Sequence, residues 1–152
     1  QLDLVARLIK AGVPTRVYAV SLGGFDTHAA EKDTHARLLG ELDAALSSFV
    51  SSLQGTRAGD GVVTLVYSEF GRRVAANASG GTDHGTAAPV LVAGPGVKGG
   101  LYGEEPSLKN LDDGDLRFTT DFRSVYATVL TRVLGVDATV ALDRNYRPLA
   151  FL

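Results

Sequence analysis

Apolar residues recur along this chain at two spacings, and the change from one to the other marks where helices give way to strands. Over Gln1–Ala11, Leu2, Val5, Leu8 and Ile9 share one side of a 3.6-residue repeat that Gly12 and Pro14 bring to a stop, which predicts a helix. Arg16–Leu22 is β-branched and aromatic and predicts a strand running into Gly23 and Gly24. From Ala29 to Leu53, Leu38, Leu39, Leu42, Leu46, Phe49, Val50 and Leu53 step by threes and fours. Glu31, Lys32, Arg37, Glu41 and Asp43 fall mostly opposite, as in a long amphipathic helix. Val62–Tyr67 and Ala88–Ala93 are nearly continuous apolar runs, the pattern of strands covered on both faces of a parallel sheet. A last helix is predicted over Asp121–Leu134, with Asp121 as its cap and Gly135 as its stop. Between these elements, Gln54–Gly61, Ala75–Thr86 and the acidic stretch Gly99–Phe118 carry no hydrophobic period and read as loops.

Strands alternating with helices predict an α/β fold, a mostly parallel sheet flanked by helices. Functional loops in such folds gather at the carboxyl ends of the strands. With 152 residues, 45% of them hydrophobic, the chain suffices for a single domain spanning 1–152, and it shows no internal repeat. A formal charge of -2 and the lack of any Lys/Arg cluster argue against a nucleic-acid partner. No apolar run approaches the roughly 20 residues of a membrane span. The absence of cysteine removes disulfides, thiolate nucleophiles and Cys-based zinc sites. Gln1 already lies within a helical pattern, so the chain is expected to be part of a longer protein, with any targeting segment upstream.

The three histidines all fall in or beside two short acidic motifs bounded by glycine: Gly23-Gly24-Phe25-Asp26-Thr27-His28 with His35 beyond, and Gly81-Thr82-Asp83-His84-Gly85. Imidazole and carboxylate together supply metal ligands, proton carriers and supporting partners. Asp26, His28, Asp83 and His84 are therefore the candidate metal ligands, His84 first among them. The plainer alternative is a set of loop caps and turn residues. His35 lies about 10 Å along a helix from His28, too far to pair with it on one ion, and reads as an outer or surface residue. Glu69 and Arg72 follow the Val62–Tyr67 run. They are read either as a local ion pair or as catalytic groups, Glu69 a base or further ligand and Arg72 a bidentate anion clamp.

Taken together, Gly-Gly-Phe-Asp-Thr-His, Ser-Glu-Phe-Gly-Arg, Thr-Asp-His-Gly before Pro-Val-Leu-Val-Ala-Gly-Pro-Gly, and Asp-Phe-Arg-Ser-Val-Tyr resemble the DUF1501 family over nearly the whole chain, in order. That resemblance implies kinship with the alkaline phosphatase and sulfatase superfamily and a partial alkaline-phosphatase-like core, with this chain as the carboxyl-terminal half. It implies a divalent metal, zinc first, with calcium, manganese or magnesium as alternatives. Asp26 and His28 match the Asp and His of one metal, and His84 the late histidine ligand. Phe70 stands where an active phosphatase carries a histidine. The nucleophile belongs to the amino-terminal half, which becomes an expected partner, and Thr27 and Ser68 are the hydroxyls available here. The implied activity is metal-dependent hydrolysis of phosphate or sulfate esters, small or polymeric, in the periplasm or outside the cell. The alternative is a degenerate, non-catalytic module that binds a metal or an anion.

Overall fold

In the computed structural model, which describes residues 1–152, the predicted helices form close to where the pattern puts them. Helix α1 (Leu2–Lys10) ends at Gly12, whose φ of +71° suits a residue without Cβ. Helix α2 (Glu31–Leu53) lies against it, and Val5, Ala6, Phe49 and Leu53 form the one buried apolar cluster between them, with Tyr18 and Val62 resting on its rim. Helix α2 begins without a side-chain cap. Its entry is held instead by Ala30 N–H donating to Ser79 O (3.1 Å) and Glu31 N–H to Gly80 O (3.0 Å). No helix is long and apolar enough to cross a membrane.

The sheet differs from expectation. The two apolar runs contribute β1 (Thr64–Val66) and, later, Leu91–Ala93, and these pair antiparallel, Leu65 opposite Val92. Between them come β2 (Gly71–Ala76) and β3 (Thr82–Gly85), also antiparallel, with an irregular register between Arg72 and Ala76. Leu91–Ala93 is thus β4. The mostly parallel sheet and the alkaline-phosphatase-like core are not present: every sheet is two-stranded and antiparallel. The reason lies in the connection. Parallel neighbours need a crossover, usually helical, whereas residues 67–90 hold only a hairpin, which returns the chain the way it came. Arg16–Leu22 is assigned to no sheet.

Two stretches expected to be loops carry hairpins. In Ala75–Thr86, Asn77 makes the turn: its Oδ1 accepts from the N–H groups of Ser79 (3.0 Å) and Gly81 (3.1 Å) while its own N–H donates to Gly81 O. In Gly99–Phe118, β5 (Leu111–Asp112) and β6 (Asp115–Leu116) flank Asp113-Gly114, both at positive φ, the conformation a two-residue hairpin turn requires. Asp115 there is buried, not solvated. Burial alone would raise its carboxyl, but N–H donation from Thr86 and Leu116 outweighs that and lowers it. Helix α3 (Phe122–Arg132) follows, capped by Asp121 accepting from Arg123 N–H (2.9 Å). On its inner side the fully buried Thr128 donates to Ser124 O and accepts from Leu149 N–H, each at 2.7 Å, anchoring the carboxyl-terminal tail.

The accessible surface is 10375 Å². A monomer of 15.9 kDa ordinarily exposes about 7,300 Å². Large apolar side chains contribute to that surface: Val17, Tyr67, Leu91, Leu101 and Phe118 are each more than half exposed.

Candidate metal centre

Asp26 and His28 leave the Gly23-Gly24 bend on the way into α2, and His84 projects from β3. The fold brings them together because the β2–β3 turn holds the start of α2. Gly81 lies so close under His28 that an added Cβ would stand 2.5 Å from the His28 carbonyl carbon, so only glycine allows the approach. His84 Nε2 reaches Asp26 Oδ1 at 2.7 Å and His28 Nε2 reaches the same oxygen at 3.0 Å. One donor atom from each of the three lies within 4.8 Å of the others, and all three side chains are open to solvent. Two imidazoles and one carboxylate suit zinc and other first-row divalent ions, and three protein ligands leave a position free for substrate. The donor set therefore fits the cation that the resemblance implies. Hydrogen bonds from His84 and then His28 hold the Asp26 carboxyl below the usual carboxylate range, so it is an anion wherever such a cation would bind.

Asp83 is not one of the three converging donors. It faces the other side of His28, its Oδ1 3.6 Å from His28 Nδ1. Asn77 ties the two together, donating from Nδ2 to His28 O (3.0 Å) and Asp83 Oδ1 (3.2 Å), and this bond is the main reason the Asp83 carboxyl is lowered. A carboxylate behind a ligating imidazole orients the ring and raises its basicity. On the other flank, the Phe70 ring stacks on His84, centroids 3.8 Å apart and planes 8° from parallel.

Arg72, opposite His84 in the hairpin, points its guanidinium inward. It donates to Thr82 O, to Phe25 O and to Thr27 Oγ1 (3.2 Å), and it pairs with Glu31 at 3.6 Å. Burial would raise the Glu31 carboxyl, but the Thr82 hydroxyl and Arg72 more than offset this and lower it. Arg72 thus fastens the Phe25–Thr27 bend to the hairpin, and with 18% of its side chain exposed it is largely spent on that task. Glu69 is exposed, enters no salt bridge and lies along a broad groove with Tyr67, Phe70 and Phe118, apart from the three donors. His35 stands beside Glu31 (3.7 Å) and meets Phe25 edge-on, clear of the cluster. Of the two hydroxyls, Thr27 is held by Arg72, and Ser68 accepts from Phe70 N–H at 3.4 Å.

Asn77 and Phe70 had no place among the candidate site residues in the sequence. Asn77 ahead of Ser-Gly-Gly signals a turn but not what the turn touches. Phe70 was visible only as a departure from a family pattern, whereas its contact with His84 depends on the hairpin register.

A family described as "Protein of unknown function (DUF1501)" matches residues 4–145. No curated protein and no solved structure matches the chain.

Proposed function

The chain belongs to the DUF1501 family, and from that premise we propose that Asp26, His28 and His84 hold a divalent cation, zinc first, in a protein that hydrolyses phosphate or sulfate esters. The observation that carries this reading is the meeting of two imidazoles and a carboxylate at one solvent-open point, drawn from segments 58 residues apart. Asp26 meets both imidazoles and Asp83 meets that of His28, and neither Asp26 oxygen pairs with a Lys or Arg. A carboxylate without a basic side-chain partner favours a cation. When bound, the cation would supply Lewis acidity toward an ester oxygen. The chain's own residues do the rest: Asp83 and Asn77 orient His28, Phe70 orients His84, and Arg72 fixes the bend that carries Asp26. The link to phosphatases and sulfatases is proposed on the resemblance of the sequence motifs together with this donor set, without a shared core. Residues 1–152 are taken as a carboxyl-terminal portion, with the nucleophile on an amino-terminal portion of the same protein, acting in the periplasm or outside the cell.

A second reading, a module that binds metal or anion without catalysis, is favoured by the engagement of Arg72 with the Phe25–Thr27 bend and by the absence of Glu69 from the group of converging donors. Elemental analysis of the full-length protein, with turnover of aryl phosphate and aryl sulfate across several divalent metals, separates the two. Bound metal with turnover that His84→Ala abolishes supports the hydrolase. Bound metal without turnover leaves the binding module, and a metal-free, inert protein overturns the hydrolase and leaves only an anion-binding module.

A further inference from the structure

We propose that Asp115 is a positioning residue for His84. From the β5–β6 hairpin it fixes the end of β3, and with it the aim of the His84 imidazole at Asp26 and at a bound cation. The proposal rests on the metal reading only for the cation; the aim of the ring is measurable without one.

The two imidazoles are held differently. His28 has Asp83 beside its Nδ1 at 3.6 Å, whereas His84 makes its hydrogen bond through Nε2 alone, to Asp26. A ligating imidazole ordinarily has a carboxylate, carbonyl or water on its second nitrogen. With no protein group there, the direction of His84 depends on the stacked Phe70 ring and on the main chain that carries it. That main chain leaves the β2 ladder one residue later, where Gly85 lies opposite Gly71. The next amide, Thr86 N–H, donates to Asp115 Oδ2 at 2.8 Å. The Thr86 hydroxyl stands 3.1 Å from the same oxygen. Asp115 Oδ1 lies so close to Gly85 that any side chain there would meet it.

The chemistry of these contacts calls for a carboxylate. Asp115 is 9% exposed, and an ion so covered is costly unless its oxygens are bonded. Both are: Oδ2 by Thr86, and Oδ1 by Leu116 N–H at 2.7 Å. Two main-chain donors on two separate oxygens exclude an amide, since asparagine would turn its NH2 group toward one of the N–H groups. The hairpin that carries Asp115 is itself anchored. Arg73, in β2, donates from Nη1 to Asp113 O at 2.9 Å, which ties the Asp113-Gly114 turn to the strand that pairs with β3. Asp115, its anchor on β2 and the strand bearing His84 form a closed frame.

Zinc affinity of the natural protein, by competition with a chelator, tests this in two backgrounds. Asp115→Asn should weaken binding about 10-fold, the size of effect that a supporting partner has. In a His84→Ala background the same change should cost nothing further, because a residue that acts through His84 has nothing left to act on. Unchanged affinity in Asp115→Asn overturns the proposal. An equal loss in both backgrounds does so too, since it marks damage to the whole hairpin. In the metal-free protein, the His84 ring protons should resonate upfield under the face of Phe70. Asp115→Asn should reduce that shift and leave the ring protons of His35 where they are. If Asp115→Asn fails to fold, Thr86→Val, which deletes one donor beside Asp115, should move the His84 protons the same way. His84 shifts that stay put overturn the proposal. A natural protein that takes up no zinc ends the metal reading, and the His84 shifts still decide this one.

Discussion

His84 Nε2 and Asp26 Oδ1 lie 2.7 Å apart although 58 residues separate them in the chain. The first expected outcome concerns that pair. Asp26→Asn or His84→Ala in the full-length protein should weaken zinc binding by more than the roughly 10–100-fold that follows loss of a supporting partner. His35→Ala, outside the cluster, should leave affinity unchanged. Titration against a competing chelator measures both, and equal affinity in all three variants would reject the cluster as the site.

Asn77→Ala should lower zinc affinity by about 10-fold, because Asp83 and the His28 carbonyl lose their common tie. Ligand identity is untouched, so stoichiometry should stay the same while the dissociation constant moves. A change in stoichiometry instead would mean that Asn77 acts through hairpin folding alone.

Arg72→Lys should cost about 1–3 kcal/mol in urea unfolding, since an ammonium cannot reach Thr82 O, Phe25 O and Thr27 Oγ1 with one planar fork. Arg72 is expected to act on structure more than on substrate. A variant of unchanged stability but weakened substrate binding would return it to the role of anion clamp.

Asp121 governs acid sensitivity at α3. Arg123 grips it with two bonds, Nε to Oδ1 at 2.9 Å and Nη2 to Oδ2 at 2.7 Å, and this lowers its pKa to about 2. A carboxyl lowered on folding adds stability that is complete above its unfolded pKa and lost as pH falls through the folded one. The loss should therefore run from about pH 4 down to about pH 2, and amount to about 1–2 kcal/mol after allowance for partial exposure. Asp121→Asn should flatten this part of the stability–pH curve, and an unchanged slope would place the acid transition elsewhere.

Phe49→Ala should cost about 3–5 kcal/mol, because the side chain is 6% exposed in a cluster of only four buried residues. Leu39→Ala, at a position 48% exposed, should cost far less. Similar losses at the two positions would show that the outer side of α2 is covered in the natural protein.

Helices were the legible part of this sequence. The three- and four-residue steps of α2 and the Asp121 cap of α3 are local signals, and both elements start within two residues of the predicted positions. Sheet direction was not legible, because a continuous apolar run says nothing of which way its partner runs, and the two-sided cover it predicts is missing at β4, where Leu91 is 54% exposed. The hairpin of Gly71–Ala76 and Thr82–Gly85 escaped because Thr-Asp-His-Gly has no alternation. It is held by the local Asn77 turn and by Arg72, which acts across the chain. The site was half legible. Histidine beside aspartate marked Asp26, His28 and His84 as chemistry, but only the fold separates Asp83, behind His28, from the three donors that converge.

Gly81 contributes no functional group, yet it sets how near the hairpin can come to His28. Gly85, in the strand that bears His84, is as confined: a Cβ there would stand 2.6 Å from Asp115 Oδ1 and 2.7 Å from the Arg72 carbonyl carbon. In a saturation mutagenesis screen these two positions should therefore tolerate nothing larger than hydrogen, and score alongside the histidines themselves. Mutational intolerance in this protein will trace the contact between two backbones as well as the groups that do chemistry.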